Sequence, residues 1–203
     1  MKVVLSSGNA GKLKELVALL APLGIELVSQ RALGIGEADE TASTFVENAL
    51  LKARHASNAS GFPALADDSG LVVRALNGAP GVWSARYAGF PSDDRANNRK
   101  LIAALAGIAD RRAYYYCALV FVRHPADPAP LIASAEWHGT IVDVAKGTGG
   151  FGYDPHFFVR EFGRTAAELP PDVKNRISHR GLAVAALLDS IGRAVEELPD
   201  QGR

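Results

Sequence analysis

In the first third of the chain, short apolar runs alternate with leucines at helical spacing. Lys2 to Leu5 is an apolar run that ends in Ser6, Ser7 and Gly8, which predicts a buried strand entering a turn. Leu13, Leu16, Leu19 and Leu20 follow on one helical face, with Pro22 and Gly24 as the stop. Ile25 to Val28 predicts a second strand. Strand, glycine-containing loop, helix and strand make an α/β opening. Residues 31–43 hold few large apolar side chains and include Glu37, Asp39 and Glu40, so they predict a loop. Thr44 and Glu47 then form a T-x-x-E capping box, opening a helix through Phe45, Leu50 and Leu51 to Ala59.

Beyond that helix the pattern turns strand-like. Ala64 to Ala66 is apolar, Asp67, Asp68, Ser69 and Gly70 break in abruptly, and Leu71 to Val73 resumes. Ser92, followed by Asp93 and Asp94, predicts the N-cap of a helix running to Ala106. Tyr114 to Arg123 is the strongest strand, and Leu131 to Trp137 and Gly139 to Val144 predict two more. Strands that follow one another without helices pair antiparallel, so the sheet is expected to be mixed. Phe157 to Val159 is a short apolar run after the glycine-rich stretch from Gly147 to Gly152. A last helix is predicted over Ser178 to Glu197, with Leu182, Ala186, Leu187 and Ile191 on its inner face and a frayed tail over 199–203.

Composition narrows the class. A chain of 203 residues is expected to form a single domain, 1–203, with room for two lobes. The 22 Lys and Arg balance the 22 Asp and Glu, which argues against a broad nucleic-acid footprint but not against a small charged pocket. The lone Cys117 sits in an apolar run and reads as a buried, inert thiol. No signal peptide and no long apolar stretch are legible, so a cytoplasmic protein without membrane contact is expected.

Four segments are too polar or too rich in glycine for their positions. Ser7, Gly8, Asn9, Ala10, Gly11 and Lys12 lie between a strand and a helix, where backbone N–H groups, hydroxyls and a lysine suit phosphate. An ordinary turn with a solvated lysine fits this segment equally well, because its glycine spacing is not that of a P-loop. Asp67 and Asp68 could hold a cation and a water, although on this segment alone an acidic surface turn is the stronger reading. Glu47, Asn48 and Lys52 share one helix, but the capping box already explains Glu47; Glu40 has no such structural excuse. Last come Phe151, Gly152, Tyr153 and Asp154, with Lys174, His179 and Arg180 downstream: an aromatic flanked by glycines can stack a base, and the cations add donors. The five histidines show no zinc spacing.

Five stretches in order carry a resemblance: SSGNAGKLKEL, ETASTFVENALLKARHA, ADDSGLVVRALNGAPGVWSARYAG, GTGGFGYDPHFFV and KNRISHRGLA. Together they resemble the non-canonical purine NTP pyrophosphatases, also called the inosine triphosphate or dITP/XTP pyrophosphatase family, over residues 3–185. The resemblance implies an α/β fold with an elongated, twisted mixed sheet flanked by helices, two lobes with an active-site cleft between them, and a homodimer. It implies Mg2+-dependent hydrolysis of ITP, dITP or XTP to the monophosphate and pyrophosphate, removing deaminated purines from the nucleotide pool. Ser7, Asn9 and Lys12, within the loop that includes Gly8, Ala10 and Gly11, would bind the triphosphate. Ser7 stands where many relatives have Thr, and either residue supplies a hydroxyl. Glu40 and Asp68 would hold the metal, with Asp68 as proton acceptor and Ser69 as a substrate contact. Phe151, Gly152, Tyr153, Asp154, Lys174, His179 and Arg180 would meet the base and phosphates.

Physical chemistry agrees with that set. Asp68, or Asp67 beside it, would orient the attacking water, and Lys12, Lys52 and Lys174 would balance charge on the leaving pyrophosphate. Arg180 or His179 could favour a 6-oxo purine over adenine. The expectation is a local separation: Glu40, Asp67 and Asp68 around the metal, and Lys12, Lys52, Lys174 and Arg180 around phosphates and base. Two rivals are a pyrophosphatase for pyrimidine or methylated nucleotides, as in the Maf-like relatives, and a nucleotide-binding module without turnover.

Overall fold

The computed structural model describes residues 2–21, 24 and 26–196. Strand β1 (Lys2–Ser6) leads into helix α1 (Ala10–Leu20) and strand β2 (Glu26–Ser29); helix α2 (Phe45–Ser60) then leads into strand β3 (Ala64–Val73). β1 pairs in parallel with both β2 and β3. Parallel neighbours need crossover connections, and the two helices supply them. The capping box forms as expected: Thr44 Oγ1 accepts from the Glu47 N–H at 3.3 Å and donates to Glu47 Oε2 at 2.6 Å.

Helix α3 (Asp94–Ala104) is followed by strands β4 (Arg112–Val122), β5 (Leu131–Ile141), β6 (Phe157–Val159) and β7 (Arg164–Thr165), then helices α4 (Pro171–Ile177) and α5 (His179–Glu196). The strands form one seven-stranded sheet in the order β2-β1-β3-β4-β5-β6-β7. β5 with β6 and β6 with β7 are antiparallel, so the sheet is mixed, as the run of uninterrupted strands predicts.

Several expected boundaries move, each for a local reason. The two strands read over 131–144 are one strand, β5, and Gly139 lies inside it. A Cβ at Gly139 would stand 2.6 Å from Phe157 Cζ, so the glycine admits a ring from the neighbouring strand and is no break. The acids at 67 and 68 do not form a surface turn; they sit within β3 and are buried. Asp93, not Ser92, caps α3, its Oδ1 accepting from the N–H groups of Arg95 and Ala96 at 2.8 and 3.1 Å. The single last helix expected over Ser178 to Glu197 is preceded by the separate α4, which ends at Ile177. The buried face of α5 is Ala183, Val184, Leu187 and Ile191, whereas Leu182 is 42 % exposed and Ala186 is exposed as well. Steps of three and four from Ile191 reach Leu187, Val184 and Ala183 but leave Leu182 on the opposite side. The tail over 199–203 lies outside the described residues.

The chain divides into two compact units, and β3, β4 and β5 each contribute to both. The first comprises residues up to Asp68, Cys117–Ala135 and the chain from Arg180 onward. Its core packs Val3, Leu5, Leu65, Leu119 and Phe121 of the sheet against Leu16 and Leu20 of α1 and Val184, Leu187 and Ile191 of α5. The second comprises Ser69–Tyr116 and Glu136–His179, around Leu71, Leu101, Leu105, Tyr115, Trp137 and Phe157. Among the described residues, no helix is long and apolar enough to cross a membrane.

The faces of α5 set a clear expectation. Leu187→Ala should cost about 2–5 kcal/mol, the range for a buried leucine, while Leu182→Ala should stay within about 0.5 kcal/mol of the parent. Urea unfolding of both variants checks this.

Candidate active site

In the first unit, the loop after β1 turns on its own polar groups. Asn9 is the N-cap of α1, its Oδ1 accepting from the Lys12 N–H at 3.0 Å, and Ser7 Oγ accepts from the Asn9 N–H at 3.2 Å. Gly8, Ala10 and Gly11 complete the turn and the start of the helix. This arrangement leaves first-turn N–H groups and the Lys12 stem at one helix end, where an anion is favoured.

Lys12 is drawn onto Asp67, Nζ to Oδ1, at 2.9 Å. Asp67 is 1 % exposed and also accepts from Arg180 Nε at 2.7 Å and from Cys117 Sγ at 3.3 Å. Arg180, itself 1 % exposed, bonds Glu15 through Nη1. Burial alone would raise the Asp67 pKa, but Arg180 and Lys12 together overcome it and hold the carboxyl well below its ordinary 3.8. The same carboxylate and the burial push the Cys117 thiol well above its ordinary value, so it is the inert thiol expected from sequence.

Asp68, the next residue, faces a different environment, as strand alternation requires. Its Oδ1 accepts from Lys52 Nζ at 2.8 Å, and the same ammonium reaches Glu40 Oε1 at 2.8 Å. Burial raises the Asp68 pKa, Lys52 and Lys12 oppose that, Glu40 adds to it, and the net direction is up. Burial works against the charge of Lys52, but its two carboxylates prevail and raise its pKa. Asp68 Oδ2 is buried without a hydrogen-bond partner. A buried carboxylate oxygen with no donor is costly unless a ligand completes it. Among the described residues, no group of three or more His, Cys, Asp or Glu forms a metal cage. Mg2+ commonly takes one or two carboxylates and fills the remainder with water and substrate phosphate. Glu40 and Asp68, brought together on one ammonium with an oxygen to spare, fit that kind of ion.

The second unit carries the aromatic set. Asp154 is 2 % exposed and accepts from Lys174 Nζ at 2.7 Å, from the Phe151 N–H at 3.0 Å and from the Tyr115 hydroxyl at 3.1 Å. Gly150, at φ 70°, has no room for a side chain, because a Cβ would overlap the Asp154 carboxylate. Lys174 Nζ stands 5.0 Å over the Phe151 ring, and the His179 imidazole stacks on Tyr115 at 4.8 Å and 9°.

Several expectations change here. The acids and cations are not separated but interleaved: Lys12 with Asp67, Lys52 with Glu40 and Asp68, Lys174 with Asp154, and Arg180 with Asp67 and Glu15. Buried ions need an opposite charge at contact distance, so each cation settles on an acid. Asp67, with both oxygens engaged and its pKa depressed, is an ion-pair anchor. Arg180 is enclosed by its two carboxylates rather than presented to a base. Tyr153 packs its ring in the core and donates its hydroxyl to the Ser84 carbonyl at 2.8 Å, while Gly152 engages Asp94 and Asn98 through its backbone. Ser69 follows Asp68 in β3. Glu47 stays on the capping box and Asn48 bonds the backbone of Ala42, so neither joins Lys52. Tyr115 and Glu15 were not singled out from sequence; strand parity in YYYC marks Tyr115 as the inward ring, but nothing local marks Glu15.

The Ham1 family model matches residues 3–190. This chain belongs to the Ham1 family. A dITP/XTP pyrophosphatase of Nitrosomonas europaea is 62 % identical over 190 residues, 94 % of each chain. One from Burkholderia pseudomallei is 59 % identical, covering 94 % of this chain and 93 % of that protein. Among solved structures, a HAM1 protein from Coxiella burnetii superposes with a TM-score of 0.86 at 46 % identity, covering 98 % of this chain and all of the other. A nucleoside-triphosphatase / dITP/XTP pyrophosphatase from Mycobacterium abscessus gives 0.73 at 42 % identity, covering 94 % of this chain. The five stretches that carry the resemblance all fall within the span of the Ham1 match.

Because the Asp67 pKa is lowered in the folded state, its ion pairs contribute fully above the unfolded value of 3.8 and are lost as pH falls through the folded value. Asp67→Asn should therefore destabilise this Ham1 chain by about 3 kcal/mol at neutral pH, the scale of a broken buried pair. Urea titrations at descending pH should show the gap between parent and variant closing only below pH 3.8.

Proposed function

We propose that this chain hydrolyses deaminated purine nucleoside triphosphates, ITP, dITP and XTP, to the monophosphate and pyrophosphate. The observation that carries this most directly is the pairing of an unpartnered, buried Asp68 Oδ2 with Glu40 across Lys52, beside a helix N-terminus that suits phosphate. The names of the relatives support the substrate class. A Mg2+ ion held by Glu40 and Asp68 would neutralise phosphate charge and make a bound water more acidic.

The chain's own groups account for the remainder. Ser7, Gly8, Asn9, Ala10 and Gly11 offer donors to the triphosphate, and Lys12 exchanges Asp67 for phosphate when the nucleotide arrives. Asp68, whose pKa is raised by burial, accepts the proton of the attacking water beside that ion, while Lys52 keeps Asp68 and Glu40 in place. Ser69 adds a substrate contact. Phe151 stacks the base beneath the Lys174 ammonium, and His179 supplies a donor for a 6-oxo group that adenine lacks. Arg180 serves from behind, holding Asp67. A homodimer in the cytoplasm accompanies this function; the exposed Trp83 and Phe90, 60 % and 86 % accessible, support a partner surface, and size-exclusion with light scattering tests it.

Pyrophosphate release should require a divalent cation, stop with a chelator and resume with Mg2+. ITP and XTP should be preferred over ATP by about 100-fold in kcat/KM, the scale of one or two lost hydrogen bonds. Asp68→Asn should lower kcat by about 100-fold or more, as expected for losing a general base, with an unchanged circular-dichroism spectrum. Equal rates on ITP and ATP would overturn the substrate class, a preference for pyrimidine nucleotides would favour the Maf-like alternative, and binding without product would favour a regulatory module.

A further inference from the structure

Tyr115 lies at the centre of the second unit's aromatic set, although nothing in the sequence distinguishes it from Tyr114 and Tyr116 except parity. It is 7 % exposed, and its ring lies 4.7 Å from Phe157 and 6.2 Å from Trp137 as well as 4.8 Å from His179. The near-parallel stack on His179, 9° between planes, leaves the imidazole little freedom to tilt. A core position of this kind accepts Phe. The hydroxyl is therefore the informative part, because a buried hydroxyl is unfavourable unless it is bonded.

That hydroxyl donates to Asp154 Oδ1, while Lys174 and the Phe151 N–H occupy Oδ2. Donors on both oxygens fix the plane of the carboxylate. The carboxylate in turn fixes the Lys174 ammonium over the Phe151 ring. Without the hydroxyl, Asp154 is free to turn both oxygens toward Lys174 and draw the ammonium away from a stacked base. Burial and the Asp154 charge keep the Tyr115 hydroxyl protonated far above neutral pH, so it remains a donor under working conditions.

We propose that Tyr115 is a positioning residue for base discrimination: its ring sets His179, and its hydroxyl sets Asp154 and, through it, Lys174. This rests on the functional reading above and adds to it a residue that never touches the nucleotide. Tyr115→Phe removes the hydroxyl and keeps the ring. It should raise KM for ITP about tenfold with kcat within about threefold, and reduce the ITP-over-ATP preference about tenfold, the scale of one hydrogen bond to a charged group. Tyr115→Leu, which also removes the stack on His179, should reduce that preference further. Equilibrium binding of a non-hydrolysable ITP analogue to the same variants gives an independent measure and should weaken in the same order. If Tyr115→Phe lowers Tm but retains the parent KM and the parent ITP-over-ATP ratio, Tyr115 only packs the core and the proposal is overturned. If the parent chain itself shows no preference for ITP, the functional reading fails and this proposal falls with it.

Discussion

A carboxylate inside a strand at 1 % exposure cannot stand alone, and Asp67 is such a group. Its retention in charged form demands cations at contact distance, and the chain supplies one from each flank of the first unit: Lys12 from the start of α1 and Arg180 from the start of α5. A single ionised side chain thus ties three elements distant in sequence. Asp67 alone faces two cations, and Glu15 from α1 supplies the second negative charge, at Arg180. The first helix is consequently bound to the last through charge as well as through Leu16, Leu20, Leu187 and Ile191. Charge at a helix N-terminus that opposes the dipole, as Arg180 does, is tolerated because two acids face it.

Asp67 and Asp68 are chemically identical neighbours with opposite pKa directions. The strand turns one toward Lys12 and Arg180, where positive charge outweighs burial, and the other toward Glu40 and Lys52, where burial outweighs it. Environment alone gives the two carboxyls opposite pKa directions and, in the proposed function, different roles. Lys52 is the complement: one ammonium serves two carboxylates and keeps them close despite their repulsion.

Much of this was legible in the residues. The α/β opening, the capping box at Thr44 and the mixed character of the sheet follow from local pattern, because each depends on neighbours in sequence. The side chains that pair within each unit were also nameable, because polar groups in apolar or glycine-rich surroundings stand out. What stayed hidden is who pairs with whom. The bond from Arg180 to Asp67 spans 113 positions and that from Arg180 to Glu15 spans 165, and no periodicity encodes either. For the same reason DDSG read as a turn: local composition cannot show that two distant cations will neutralise an acid inside a strand. Gly139 misled in the opposite way, since a glycine that admits the Phe157 ring looks in sequence like a break.

Strand β4 alternates its side chains, and Tyr115 and Cys117 fall on the same side of that alternation, Tyr115 beside Asp154 and Cys117 beside Asp67. Parity along a strand is indivisible. A one-residue shift of register before Tyr115 would exchange the two faces of the strand for the residues that follow, removing the ring behind His179 and the thiol behind Asp67 in one event. Point changes in β4 can be absorbed one at a time; a length change can be absorbed only as a bulge that leaves a residue unpaired. β4 is thus the segment in which natural variation of this protein should be confined to substitutions.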